Sequence, residues 1–345
     1  MKRLILATIA LVVIVALATA GWVYLQVSEQ YKGYAESETF VEIASGSSTQ
    51  TMGKVLSDAG VVKNPTAFRI AVWMRGAGRR LQAGEYRFDS PMTPDAVVDK
   101  IARGDVFLRP VTFREGLTVR QMAAIFEERG FGPQTAFVGA ASKPDLIRAL
   151  DPDARNLEGY LFPDTYALPR RTTADQLAAR MIARFEKALT PEIRQQASAH
   201  RLSVRELVTL ASLVEKETAK PEERPIVAAV YRNRLRIGMP LQCDPTVIYA
   251  LERAGRYDGN ITRADLSFDS PYNTYRYPGL PPGPIAAPGQ ASLDASANPA
   301  DVTYLYFVSR NDGSHAFSTT LDEHNRNVEI YQRQYFRDLR KNNTK

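Results

Sequence analysis

The chain has one cysteine, Cys243, among its 345 residues, so it can form no disulfide within itself. It has three histidines, His200, His315 and His324. None stands at zinc-ligand spacing, and there is no His-Glu-x-x-His pair. A protein-bound catalytic metal is therefore not expected, and no cofactor is implied. Charge of one sign is not concentrated either. Lys and Arg number 44 against 38 Asp and Glu, for a net charge of +6. No basic block is interleaved with aromatics, which argues against a nucleic-acid partner. The composition shows none of the bias of a disordered chain: 44% of residues are hydrophobic and 24% charged. The length suits about two domains.

Long apolar runs are scarce, and the single one is informative. Lys2 and Arg3 precede an uncharged, mostly apolar stretch from Leu4 to Leu25. Roughly 20 such residues cross a bilayer as a helix. Ala18-Thr19-Ala20 has the form of a signal-peptidase site, so a cleaved signal peptide is the competing reading. The run continues beyond that site, and Trp22 and Tyr24 sit where an interfacial aromatic belt belongs. Both features favour a membrane anchor. The two basic residues then place the N-terminus in the cytoplasm and the rest of the chain outside it. This orientation predicts a single-pass inner-membrane protein with a periplasmic or extracytoplasmic body.

The expected organisation is an anchor over residues 1–26, a polar linker over 27–39, a repeat region over 40–150 and a second domain over 151–345. The fold class is α+β. In the repeat region Phe40 to Ile43 alternates as a strand, Met52, Val55, Leu56 and Ala59 have helical spacing, and Gly60 ends the helix. A second helix is predicted from Asn64 to Met74, a returning strand over 84–88, and a helix opening at Thr93-Pro94. An echo follows about seventy residues later. Gly46, Ser48, Met52, Leu56 and Gly60 correspond to Gly116, Thr118, Met122, Phe126 and Gly130, and Val41 and Ile43 to Val111 and Phe113. Two strand–helix–helix units are thus predicted. The pattern resembles LysM modules, small domains that bind N-acetylhexosamine chains, and equally fits a generic αβ repeat without a ligand.

The second domain is predicted to be largely helical, with helices from about residue 174 to Leu189, Pro191 to His200, Ser203 to about Thr218, Pro225 to Arg236 and Asp244 to Ala250. Ser203 and Glu206 form a capping box. Asp244 reads as an N-cap. Residues 270–288 are too rich in Pro and Gly for helix or central strand. A hairpin over 304–318 turns at Asn311-Asp312-Gly313. A final amphipathic helix covers about 321–339.

Four clusters could carry chemistry. On a helical wheel Leu207, Ala211, Val214 and Thr218 form a buried stripe, and Glu215 and Glu217 fall on its opposite edges. A carboxyl at the edge of an apolar face suits a general acid, but the wheel does not separate the two, and a frayed, solvated helix end is also compatible. Residues 156–166 pack Glu158, Asp164 and aromatics outside any helix, as a sugar cleft or a structural loop. Gln242-Cys243-Asp244 lies just before a helix, with no base placed to activate Cys243. Asn273 and Tyr275 lie in the stiff 270–288 segment.

Taken in order, five stretches resemble one family closely. They are LEGYLFPDTY at 157–166, ASLVEKET at 211–218, VYRNRLRIGMPLQCDPTVIYAL at 230–251, SPYNTYRYPGLPPGPIAAPG at 270–289 and YFVSRNDGSHAFSTTLDEHN at 306–325. The family is that of the YceG-like (MltG) endolytic murein transglycosylases. The resemblance implies a lyase that cuts the MurNAc–GlcNAc β-1,4 bond within nascent peptidoglycan strands without water, leaving 1,6-anhydroMurNAc ends and terminating strand elongation. It implies Glu215 as the catalytic residue, and Glu217, Glu158, Gln242, Asn273 and Tyr275 as substrate-binding supports. Peptidoglycan strands are the implied partner, with membrane-bound peptidoglycan synthases as further partners. A non-catalytic peptidoglycan-binding anchor is the alternative. Cys243 departs from the small or polar residue usual beside the Asp-Pro, without an expected effect on chemistry.

Overall fold

The computed structural model describes residues 2–342. Met1 and residues 343–345, assigned above to the anchor and to the end of the second domain, lie outside the described residues. The fold is mixed α+β, about half helical, with three two-stranded sheets among the described residues. The chain divides into two compact units, Met1–Pro110 with Ala167–Arg170, and Val111–Tyr166 with Arg171–Lys345. The division falls inside the expected 40–150 region, so its second repeat belongs mostly to the larger unit.

The first unit begins with helix α1 (Lys2–Ser28). Its 27 residues span about 40 Å at 1.5 Å per residue. It is long and apolar enough to cross a membrane; most of its described apolar side chains are exposed, Val23 is half-buried, and Val27 enters the core. Strand β1 (Thr39–Ile43), helices α2 (Thr49–Asp58) and α3 (Pro65–Met74), strand β2 (Gly84–Phe88) and helix α4 (Pro94–Arg103) follow. The strands pair antiparallel with Val41 opposite Tyr86. Alternation sends Val41, Ile43, Tyr86 and Phe88 into one core with Leu56, Phe68, Val97 and Ile101. Ser48, Asn64 and Thr93 cap the three short helices through their side-chain oxygens.

The echo is visible in the backbone. Strand β3 (Arg109–Phe113), helices α5 (Val119–Glu128) and α6 (Gln134–Ala141) and strand β4 (Asp164–Leu168) repeat the order of β1, α2, α3 and β2, and β3 pairs with β4. Gly46 and Gly116 share left-handed φ values of 78° and 75°, and Gly60 and Gly130 share 71° and 70°. Without a Cβ, glycine enters this region at no steric cost. Thr118 caps α5 as Ser48 caps α2. Strand β4 was not foreseen from the sequence, where residues 156–166 read as a sugar cleft or a structural loop. Thr165 and Tyr166 are good strand formers, and the Thr165 hydroxyl lies 2.8 Å from that of Thr112 on β3.

The rest of the larger unit comprises α7 (Ala174–Ala188), α8 (Pro191–Ala199), α9 (Val204–Glu217), α10 (Arg224–Arg236), α11 (Asp244–Arg253), α12 (Gln290–Ala297), β5 (Tyr306–Ser309), β6 (His315–Ser318), α13 (Leu321–Val328) and α14 (Tyr335–Asn342). Helix α9 is central: every side chain from Leu207 to Val214 is buried, and α10, α11 and α12 pack against it. The Ser203–Glu206 capping box starts it as expected. Two details differ. Asp244 does not cap α11 but is its first residue, with Cys243 before it; its carboxylate accepts from Tyr275 instead, at 2.5 Å. The final helix is not continuous, because a π-helical stretch over Glu329–Gln334 separates α13 from α14.

Candidate active site

Glu215 lies in the last turn of α9, where the buried stripe of the helix meets an open cleft. Its side chain is 6% exposed. Three donors converge on its carboxylate. Arg224 Nη2 lies 3.2 Å from Oε1, the Gly289 amide donates to Oε2 at 3.0 Å, and the Ser292 hydroxyl donates to Oε2 at 2.7 Å. Each comes from a different place in the chain. Pro225 fixes the start of α10 and puts Arg224 in its first turn. Gly289 precedes α12, and Ser292 lies on its first turn. The small side chains of α12 allow it to lie close to α9.

A second carboxyl shares the cation. Glu115, on the turn between β3 and α5, has Oε2 3.7 Å from Arg224 Nη2. Burial, and then repulsion from Glu215, push its pKa above the usual carboxyl value, against the opposing pull of Arg224. The turn is fixed by two backbone bonds, Gly116 N to Ala287 O at 2.8 Å and Ala287 N to Leu117 O at 2.9 Å. A side chain at Gly289 would put its Cβ 1.7 Å from Glu115 Oε1, so glycine there leaves the space the carboxyl occupies. The Nε of Arg224 is buried with no hydrogen-bond partner among the described residues. The cleft has a volume of ≈650 Å³, and its walls include Arg114, Glu115, Asp164, Glu215, Glu217 and Arg224.

The resemblance-derived residues separate into three groups. Glu217 lines the Glu215 cleft and also a neighbouring pocket that holds Gln242 and Tyr275. Its Oε2 accepts from Tyr231 at 3.0 Å and from the Cys243 thiol at 3.4 Å. Burial pushes its pKa up, against these two hydrogen bonds. Burial likewise pushes the Cys243 thiol well above its ordinary value. Asn273 is fully buried and tied to backbone, donating to Leu266 and Phe268 carbonyls and accepting from the Tyr275 amide. Glu158 does not line the Glu215 cleft. Its oxygens are taken by the Val119 amide at 2.9 Å and the Tyr249 hydroxyl at 3.2 Å, and burial pushes its pKa up to about 7.

A further tie holds the turn after α9. Glu223 accepts from the His315 amide at 2.8 Å and the Thr218 hydroxyl at 3.1 Å, and lies 2.7 Å from His315 Nδ1. Burial would raise its pKa, but these contacts outweigh burial and lower it. Reasoning from sequence missed Glu115, Arg224, Gly289 and Ser292. The one signal for Arg224 is the Pro225 that follows it. Ser292 sits in a run of small residues with little apolar periodicity, which gave no helix to place it on.

A profile of the YceG-like family matches residues 41–330, and the chain belongs to this family. A Bacillus subtilis protein named endolytic murein transglycosylase is 34% identical over 306 residues, covering 84% of each chain. A Streptococcus pneumoniae protein of the same name is 34% identical over 320 residues; the alignment covers 84% of this chain but 57% of that longer one. The crystal structure of a Listeria monocytogenes protein described as YceG-like superposes with a TM-score of 0.58 at 31% identity, over 85% of this chain and 99% of that one.

Proposed function

We propose that the protein is an endolytic peptidoglycan lytic transglycosylase with Glu215 as its acid/base. The observation that carries this reading is the placement of Glu215: a carboxyl at the edge of an open cleft, held by Arg224, Gly289 and Ser292. Protonated, Glu215 gives its proton to the glycosidic oxygen as the bond from the MurNAc anomeric carbon breaks. The 6-hydroxyl of the same sugar then bonds to that carbon and passes its proton to Glu215. One carboxyl serves both steps, and no water is consumed. Ordinary glycosidases need two carboxylates because a separate nucleophile or water must attack. Glu115 shares Arg224 with Glu215, and burial and then repulsion from Glu215 raise its pKa.

In this reading α1 anchors the protein in the inner membrane, with the body outside the cytoplasm and near the synthases that extend nascent strands. The two strand–helix–helix–strand repeats act as LysM-like glycan binders. Purified protein incubated with glycan strands is expected to release 1,6-anhydroMurNAc-ended fragments by mass spectrometry. A Glu215→Gln variant is expected to lose about 100-fold or more of that rate. Cut stem peptides, or full activity in the variant, would overturn the assignment.

A further inference from the structure

The pocket beside the Glu215 cleft has a volume of ≈290 Å³, and Glu217 forms part of both. Its other walls include Gln242, Asp244, Tyr275, Tyr306 and His324. Gln242 is exposed and has a left-handed φ of 51°, a conformation costly for any residue with a Cβ. The backbone is pinned here and at the next residue: the Gln242 amide donates to Thr274 O at 3.2 Å and the Cys243 amide to Thr274 Oγ1 at 3.0 Å. The strained backbone is thus held by the 270–288 segment, while the carboxamide is left at the pocket.

Two further features remain unexplained by folding alone. The Nδ1 of His324 is buried without a hydrogen-bond partner among the described residues. An unpaired buried polar atom of this kind costs about 1–3 kcal/mol. The imidazole also stacks on Tyr306, with centroids 5.2 Å apart and planes at 23°, so one wall is aromatic. Opposite chemistry is supplied by Asp244, an exposed acceptor oriented by the Tyr275 hydroxyl. The pocket therefore offers an aromatic wall, a carboxamide, the His324 imidazole and a carboxylate, while the Arg234 guanidinium in its wall is turned to the Leu305, Pro240 and Leu241 carbonyls. Mixed donors and acceptors around an aromatic surface fit a neutral, hydroxyl-rich ring better than an ion.

We propose that this pocket is a subsite for one N-acetylhexosamine ring, so that a bound strand passes over Glu217 from the Glu215 cleft into the Gln242–His324 pocket. The inference rests on the reading of the substrate as a glycan strand. Its test is binding, which does not depend on cleavage. Full-length Glu215→Gln protein in detergent is titrated with GlcNAc oligomers of increasing length. Oligomers long enough to reach the second pocket are expected to bind about tenfold tighter than shorter ones, equivalent to one good polar or stacking contact set. Gln242→Ala, and separately His324→Phe, which keeps the stack on Tyr306 but removes the nitrogens, are expected to abolish that gain. Indifference of the parent protein to oligomer length, or an unchanged gain in both variants, would overturn the subsite. Absence of anhydro-ended products from the wild type would instead overturn the transglycosylase reading while leaving a length-dependent binding result intact.

Discussion

Glu215 and Glu217 are two residues apart on one helix end, and their surroundings differ in kind. Glu215 is met by a guanidinium, an amide and a hydroxyl. Glu217 is met by a phenol and a thiol. A helical wheel treats them alike because their partners come from residues 224, 231, 243, 289 and 292, which no local pattern connects. Ser292→Ala removes one short hydrogen bond to a carboxylate. A charge-assisted bond contributes about 1.5–3 kcal/mol to the folded state, so the melting temperature is expected to fall by a few degrees, and the cleavage rate roughly 10- to 100-fold if the same contact holds the acid in place. An unaltered rate would show that the Ser292 contact does not help hold the acid. Glu158 tests burial separately. Its carboxyl is pushed up to about 7, so the native state holds the proton more tightly than the unfolded chain. The resulting stabilisation is complete below the unfolded value and lost as pH rises through about 7. Above that, the loss is about 3 kcal/mol. Glu158→Gln keeps the shape and removes the titration. Denaturation at about pH 5 and about pH 8 is expected to show a larger fall in stability for the wild type than for the variant. Equal falls would contradict the burial of a titrating carboxyl there.

At the level of elements, most of the fold is written in caps and left-handed glycines. Ser48, Asn64, Thr93, Thr118, Thr173 and Ser203 all start helices through their side-chain oxygens, and the Gly46/Gly116 and Gly60/Gly130 pairs place the same turns in both repeats. These signals are local, which is why they are readable. Strand β4 and helix α12 were not readable for opposite reasons. Strand β4 lies in a stretch crowded with Pro, Gly and acidic residues, and its pairing partner lies about fifty residues earlier. Helix α12 is made of small residues whose face is set by packing on α9 rather than by apolar period. Its loss from the prediction also hid Ser292. Helix α9 carries Glu215 at one end and its capping box at the other. Ser203→Ala is expected to cost about 1 kcal/mol in urea unfolding, because it leaves backbone amides of the first turn unpaired. No measurable change would indicate that packing alone fixes the start of α9.

For the molecule as a whole, the N-terminal apolar run and the five ordered motifs were the strongest features of the sequence. The first becomes helix α1, exposed along most of its length and joined to the smaller unit through Val27 and through Gln26, which accepts from Asn64 at 3.2 Å. A version beginning at Gln26 keeps these contacts. It is expected to remain in the aqueous phase on detergent partitioning, whereas the full chain enters the detergent phase. Aqueous behaviour of both would contradict the anchor. The motifs converge on the larger unit, where Glu217 stands in the walls of both the cleft around Glu215 and the neighbouring pocket. In the proposed reaction the sugar's own hydroxyl, not water, attacks the anomeric carbon, with Glu215 moving both protons. Its most direct test is cleavage of glycan strands in water enriched in heavy oxygen, followed by mass spectrometry of the new ends. Anhydro ends with no heavy oxygen are predicted for the wild type, and no new ends for Glu215→Gln. Reducing ends that carry heavy oxygen would show hydrolysis and contradict the mechanism.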